Sequence, residues 1–149
     1  MLSNRPKTES IVTATIRHCA ALLILLCSLP VLVQGAEPDY ALIVGTYSNL
    51  KYNSEGGDLI GVEVHIVPGH QGVKAIVQFA SGDVGDPVVV DVVATGTHVH
   101  FEMPAGFKIQ GTFDGTVSSQ GLEGTFSNSR GVQKHLVLPR TRSYWETKS

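Results

Sequence analysis

The chain has 149 residues, with 11 lysines and arginines against 13 aspartates and glutamates, and a formal net charge of −2. A weakly acidic chain without a dense basic cluster is poorly suited to neutralising phosphates, so we expect no nucleic acid among its partners. Both cysteines, Cys19 and Cys27, lie near the start of the chain, so the rest of it has no thiol nucleophile, thiolate metal ligand or disulfide.

Residues 1–36 have the pattern of an export signal peptide. Basic residues come first, an apolar run follows from Cys19 to Leu29, and small residues end the segment at Gly35 and Ala36. We predict cleavage after Gly35 or Ala36, with an uncleaved anchor as the alternative. Cleavage is favoured because the apolar run is shorter than the roughly 20 residues that a spanning helix needs. The mature protein is then expected in the periplasm or outside the cell, with no membrane span.

Residues 37–149 are predicted to form a single domain with a short C-terminal tail. From Tyr40 onward, apolar and polar residues alternate between turn residues, and no helical period is long enough to matter. About eight antiparallel strands in sequence order favour an all-β fold, an up-and-down barrel, with a two-sheet β-sandwich as the alternative.

The first long strands each carry an apolar row that is predicted to face the barrel interior. In "IGVEVHIV" the opposite face carries Glu63 and His65, which form a same-face pair. The inward rows are Ile60, Val62, Val64 and Ile66; Val73, Ala75, Val77 and Phe79; and Val88, Val90, Val92 and Ala94.

A tight turn at Gly96-Thr97 sets the register of the next hairpin, because glycine suits the first position of a type II′ turn. Placing apolar residues beside apolar residues pairs Val92 with Phe101 and leaves His98 and His100 on the outer face.

The segment "PAG" after Met103 is predicted to form a three-residue hairpin loop. This loop pairs Met103 with Phe107 and Phe101 with Ile109, and it sets Glu102 opposite Lys108.

A long strand is predicted to run from Phe107 to Val117, turn at "SSQG" and return through Phe126, with a hairpin turn at Asp114-Gly115 as the alternative. This register pairs Val117 with Leu122, Gly115 with Gly124, and Phe113 with Phe126. The glycines are expected where a neighbouring aromatic ring needs room. The last strand places Leu136 and Leu138 inward and ends at Pro139.

The ends of the domain resemble the calycin barrels, which are the lipocalins and avidin-like proteins. Those families have Gly-x-Trp in the first strand and a basic residue near the last strand that packs across the ring. Here Gly45-Thr46-Tyr47 stands in the first strand, with tyrosine in place of tryptophan, and Arg140 or Arg142 follows the last strand. The resemblance implies a guanidinium over the Tyr47 ring, a favourable contact.

Residues 45–66, "GTYSNLKYNSEGGDLIGVEVHI", resemble more closely the start of small exported bacterial proteins of unassigned function. In those proteins Gly, Tyr and Asn precede a Gly-Asp turn and a Gly-x-Glu strand. This resemblance implies a fold and no activity.

Two histidines in "GTHVHFEMP" are the candidate metal ligands. His98 and His100 lie two apart on one strand, so both can reach one ion while Asp91 reaches it from the neighbouring strand. A solvent-facing row is the competing interpretation, because the register places both histidines on the polar outer face.

The candidate ligand-binding residues lie in the barrel interior and in the long segment "SNLKYNSEGGD" before the second strand. They are Tyr47, Tyr52, Asn53, Glu55, Phe79, Phe101, Phe113 and Phe126. The segment "SGDVGD", with Asp83 and Asp86, is interpreted as a turn because it lacks the ligand spacing of a calcium loop.

The leading functional hypothesis is a monomeric, non-enzymatic exported barrel that binds a small apolar ligand or an envelope protein, with no cofactor. The first alternative is a small metal-dependent enzyme that uses His98 and His100. The second is a structural or inhibitory envelope protein with a filled core.

Overall fold

The structure, a computed structural model, describes residues 36–107 and 109–148. The predicted signal peptide therefore lies almost wholly outside the described residues, as does Lys108 with its predicted position opposite Glu102. Within the described residues, no helix is both long and apolar enough to cross a membrane.

The described chain forms an antiparallel β-barrel with one short helix at its start and one at its end. The helices are α1 (Tyr40–Ile43) and a 3-10 helix (Tyr144–Lys148). The strands are β1 (Gly45–Ser48), β2 (Lys51–Asn53), β3 (Asp58–Gly69), β4 (Gly72–Val84), β5 (Val88–Thr95), β6 (His98–Met103), β7 (Gly111–Val117), β8 (Gly121–Asn128) and β9 (Gln133–Pro139).

Eight of these strands follow one another around the barrel in the order β1-β3-β4-β5-β6-β7-β8-β9, and the short β2 pairs with β3 beyond the end of β1. Every pair is antiparallel. The barrel is nearly closed, because Tyr47 of β1 forms a bridge to Arg140 just after β9 and the Thr141 amide donates to the Thr46 carbonyl at 3.0 Å. The predicted up-and-down barrel is confirmed.

The inward rows predicted for β3, β4, β5 and β9 are confirmed. Most of their side chains are buried, and rings from the later strands fill the space between them. The Phe101 and Phe113 rings stack with their centroids 5.0 Å apart. The largest of the fully buried side chains are Tyr47, Phe113, Ile43, Ile66, Leu122, Leu138, Val64, Val77, Val99 and Val117.

The β5–β6 and β7–β8 hairpins have the predicted registers. Val92 lies opposite Phe101, and Phe113 lies opposite Phe126. Gly115 and Gly124 are partners beneath the Phe113 ring, and a Cβ added to either would lie 2.6 Å from Phe113 Cζ. Both glycines therefore provide the room for an aromatic ring that the sequence predicts.

The predicted β6–β7 register is wrong. Phe101 pairs with Phe113 and Met103 with Gly111, so the link runs from Pro104 to Gln110 and is not a three-residue loop. Phe107 is 40% exposed, so it is not part of the core. Phe107 and Ile109 are spaced two apart like residues on one face of a strand, although neither residue is paired in the sheet.

The two ends of the barrel differ in the lengths of their links. One end, the closed end, carries the tight links 69–72, 95–98 and 117–121 together with α1. The other, the open end, carries the links 53–58, 84–88, 103–111 and 128–133. The longest link between strands that are consecutive in the chain, 103–111, lies at the open end.

The C-terminal tail is not a free extension but packs on the outer face of β3 and β4. The Ser143 hydroxyl and the Tyr144 amide donate to the two Glu63 carboxylate oxygens at 2.6 and 2.9 Å. The Trp145 indole N–H donates to the Gln78 side chain at 2.8 Å. Glu63 is consequently buried on a face that the sequence predicts to be open to solvent.

Candidate functional site

A cleft of about 580 Å³ lies at the open end of the barrel, between the end of β4, the start of β5 and the β6–β7 link. Its volume is in the range typical of small-molecule sites. The apolar residues that line this open-end cleft are Phe79, Val84, Val88, Met103, Phe107 and Ile109. The remaining lining residues are Ser81, Asp83, Gly85, Asp86 and Gly106.

The floor of the open-end cleft is the upper surface of the barrel core. Val88 and Met103 are 6% and 3% exposed, whereas Phe107 on the β6–β7 link is 40% exposed. Phe79 is half-buried and packs edge-on against Phe126, with the ring centroids 5.7 Å apart. An apolar ligand in the cleft would cover Phe107 and the exposed part of Phe79, which gives binding a hydrophobic driving force.

The link between β4 and β5 is held in place beside the cleft. The Gly85 amide donates to the Phe79 carbonyl at 3.0 Å, and the Gln78 side-chain amide donates to the Gly85 carbonyl at 2.9 Å. A Cβ on Gly85 would lie 2.7 Å from the Phe79 carbonyl oxygen, so this close approach requires glycine. These hydrogen bonds and this close approach fix one wall of the cleft.

Two carboxylates lie in the lining of the open-end cleft. Asp83 is on β4, and Asp86 lies two residues before the start of β5. The interpretation of "SGDVGD" as a turn is wrong for its first half, because β4 continues to Val84 and Gly82 pairs with Leu59. The sequence pattern could have predicted Asp83 as a cleft residue, because continuing the two-residue alternation from Phe79 through Ser81 reaches Asp83.

The predicted ligand-binding residues do not form one site. Phe79 lines the cleft and Phe126 supports it from behind, whereas Phe101 and Phe113 are buried in the core. Tyr52, Asn53 and Glu55 lie on β2 and the turn after it, outside the lining of the cleft. Tyr52 is 54% exposed.

Tyr47 belongs to the closed end, where it lies beneath Arg140. The guanidinium carbon is 5.0 Å from the ring centroid, and Nη2 donates to the Tyr47 hydroxyl at 2.6 Å. Nη1 donates to the Val44 carbonyl at 3.0 Å, and Nη2 also donates to the Leu42 carbonyl. Of the two arginines that the sequence offered, Arg140 therefore makes the contact expected over the Tyr47 ring.

Arg140 fixes α1 across the closed end. The Tyr47 hydroxyl donates to the Ile43 carbonyl at 2.7 Å, and Arg140 binds two further carbonyls of the same segment. Burial raises the pKa of Tyr47, and the Arg140 charge and hydrogen bond offset part of that rise. A Cβ at Gly45 would lie 2.5 Å from Arg140 Nη1, so glycine leaves room for the guanidinium.

The candidate metal ligands lie on the outer face of β6, as predicted. His98 Nε2 lies 2.9 Å from one Asp114 oxygen, and His100 Nδ1 lies 3.3 Å from the other. Hydrogen bonding from His98 is the main cause that lowers the Asp114 pKa, and His100 adds to it. Asp91, the predicted third ligand, forms an ion pair with Lys74 instead.

Asp114 is therefore the carboxylate that lies beside the two histidines. The sequence does not predict this contact, because the predicted β6–β7 register is wrong. Across residues 36–107 and 109–148, no group of three or more histidine, cysteine, aspartate or glutamate side chains is arranged to hold a metal ion. The pair of Glu63 and His65 is likewise divided between separate partners. Glu63 binds the C-terminal tail, and His65 Nδ1 lies 2.5 Å from the Thr46 hydroxyl.

The fold and the cleft define the class of protein: an antiparallel β-barrel with a filled core, one end closed by a helix and an arginine, and a cleft at the other end. Comparison of the chain with protein-family models, with curated proteins and with solved structures found no match. The functional argument therefore depends on the geometry of the chain itself.

Proposed function

We propose that this protein is a non-enzymatic binding protein that holds a small apolar ligand in its open-end cleft. The observation that carries the proposal is the cleft of about 580 Å³, whose six apolar lining residues include the exposed ring of Phe107. A concave, mostly apolar surface with a few polar groups is the usual form of a small-molecule site.

The placement of this apolar surface supports binding over a purely structural role. The core of the barrel is a cluster of buried side chains that includes neither Phe107 nor Val84, which are 40% and 49% exposed, whereas Ile109 packs against its edge. These residues lie on links and strand ends, and links on a rigid scaffold often carry recognition. Because the predicted signal peptide directs export, we also propose that the ligand is met in the periplasm or outside the cell.

The test is a titration of the purified protein with N-phenyl-1-naphthylamine, a neutral apolar dye whose fluorescence rises on binding. We expect saturable binding at one site. Replacing Phe107 with alanine should raise the dissociation constant about tenfold, because an aromatic side chain buried by a ligand contributes on the order of 1.5 kcal/mol.

The matched control is Val93→Ala, which truncates an exposed apolar side chain on the outer face of β5. This variant should change the dissociation constant less than about twofold, since Val93 is not in the cleft lining. Binding that is absent, or equally weakened by both variants, would contradict the proposal. Absence of binding would favour a structural protein with a filled core.

A further inference from the structure

We propose that the ligand of the open-end cleft is a small amphipathic cation, with an apolar body and one positively charged nitrogen. This inference rests on the proposed function, because it assigns the charge of the ligand that the same cleft would hold. It is carried by the change in chemistry along the two inward rows that reach the cleft.

The inward row of β4 changes from apolar to acidic as it reaches the open end. Val77 is fully buried, Phe79 is half-buried, and Ser81 and Asp83 follow at the same two-residue spacing. Because side chains two apart in a strand share a face, the Ser81 hydroxyl continues the row that the Phe79 ring begins. Asp83 follows Gly82, whose φ is +96°, and the Asp83 side chain is placed in the cleft by its position in the lining. Phe79, Ser81 and Asp83 all line the cleft.

The start of β5 and the residues just before it show the same change from the opposite direction. Val90 and Val88 are buried, and Asp86 stands two residues before Val88. Asp86 and Val88 both line the cleft. β4 and β5 therefore each place an apolar side chain deep in the cleft, while Asp83 at the end of β4 and Asp86 in the link before β5 place carboxylates nearer the solvent. An amphipathic cation complements this arrangement.

The charge of the cleft is negative among the residues described. Asp83 and Asp86 are its charged lining residues, and no lysine, arginine or histidine of the described chain lines it. Two carboxylates attract a cationic nitrogen and repel an anionic headgroup, and because both are exposed, salt screens these effects. A neutral apolar ligand would gain nothing from either carboxylate.

The experiment compares three ligands with the same apolar chain and different headgroups. These are octyltrimethylammonium, octyl glucoside and octyl sulfate, each titrated calorimetrically into the protein below its critical micelle concentration. At low ionic strength we expect the cation to bind at least about tenfold more tightly than the anion, with the neutral ligand between them. Salt at about 0.5 M should reduce this ratio.

The variant D83N/D86N removes both carboxylates while keeping side chains of nearly the same size. We expect the cation-to-anion ratio of affinities to fall below about twofold, with octyl glucoside unaffected. The control D91N/D114N makes the same change in net charge at exposed aspartates that do not line the cleft, so it should retain the ratio.

The outcomes separate this inference from the proposed function. If the neutral ligand binds but the cation has no advantage, or if the advantage persists in D83N/D86N, the charge inference is wrong and apolar binding stands. If none of the three ligands binds, both are wrong.

Lys108 follows Phe107 in the sequence, so the variant K108Q tests whether its positive charge affects the preference for the cation. The inference predicts that the cation preference is kept or increased in K108Q. A native preference for the anion that disappears in K108Q would overturn the inference.

Discussion

At the closed end of the barrel, Arg140 donates hydrogen bonds to Leu42, Val44 and Tyr47 while α1 covers the core. At the open end, Phe107 and Val84 leave apolar surface exposed around a cleft. The first arrangement satisfies most of its polar groups internally, although the buried Arg140 Nε has no hydrogen-bond partner among the described residues, whereas the second leaves apolar area exposed. We infer that the closed end stabilises the fold and that the open end is available for recognition.

The largest expected difference is in the free energy of unfolding, between alanine variants of a core phenylalanine, Phe113, and a cleft phenylalanine, Phe107. Phe113→Ala should lower the free energy of unfolding by about 4 kcal/mol, because it leaves a cavity in the filled core. Phe107→Ala should change it by less than about 0.5 kcal/mol, as is typical of a surface substitution. Urea denaturation measures both, and comparable losses would remove the distinction between core and cleft.

The second prediction concerns the arginine of the closed end. Arg140→Ala should lower the free energy of unfolding by about 3 kcal/mol, because hydrogen bonds from a charged group contribute about 1.5–3 kcal/mol each and are not additive. The control Arg142→Ala removes an exposed arginine two residues later and should cost less than about 0.5 kcal/mol. Equal effects of the two variants would show that Arg140 does not hold the closed end together.

The C-terminal tail provides a third prediction and tests whether stabilising contacts extend to the outer face. Glu63→Ala should cost about 2 kcal/mol, because it leaves the Ser143 and Tyr144 donors without their carboxylate acceptor. The single tryptophan, Trp145, lies in this tail, so its fluorescence should report the loss of docking.

The control for the tail is Glu102→Gln, which changes an exposed glutamate on β6. It should leave both the stability and the Trp145 emission as they are in the native protein. Unchanged Trp145 emission in Glu63→Ala would contradict the docking of the tail through Glu63.

The smallest effect is expected at the histidines of β6. Because the folded-state pKa of Asp114 is lowered, its stabilising contribution is present above the unfolded value of 3.8 and is lost as the pH falls through the folded value. Asp114 is exposed, so Asp114→Asn should cost less than about 0.5 kcal/mol at pH 5. The cost should shrink below about pH 4, and a cost that grows in acid would contradict this assignment.

The sequence predicts the barrel well wherever two strands are joined by a short turn. The Gly96-Thr97 turn leaves little freedom, so apolar matching alone finds the pairing of Val92 with Phe101. The same reasoning fails between β6 and β7, because Phe107 and Ile109 alternate like strand residues while lying on a long link. The apolar character of Phe107 is accounted for by the cleft, and that of Ile109 by both the cleft and the edge of the core.

The candidate site was less predictable than the fold. Phe79 was identified, but Asp83 was not, because the inward row of β4 was ended at Phe79 rather than continued by two further steps. The tail was missed because "YWETK" has no period and its partner, Glu63, stands on a strand face predicted to be solvated. A polar residue on an outer face gives no sign that another segment covers it.

The most direct test of the account is an NMR titration of the 15N-labelled protein with octyltrimethylammonium. We predict that the amide signals of Phe79, Val88 and Met103 move with increasing ligand, while those of Tyr47 and Arg140 stay in place. Signals that move at the closed end, or a spectrum that does not respond to the ligand, would contradict the division of the barrel into a stabilising end and a binding end.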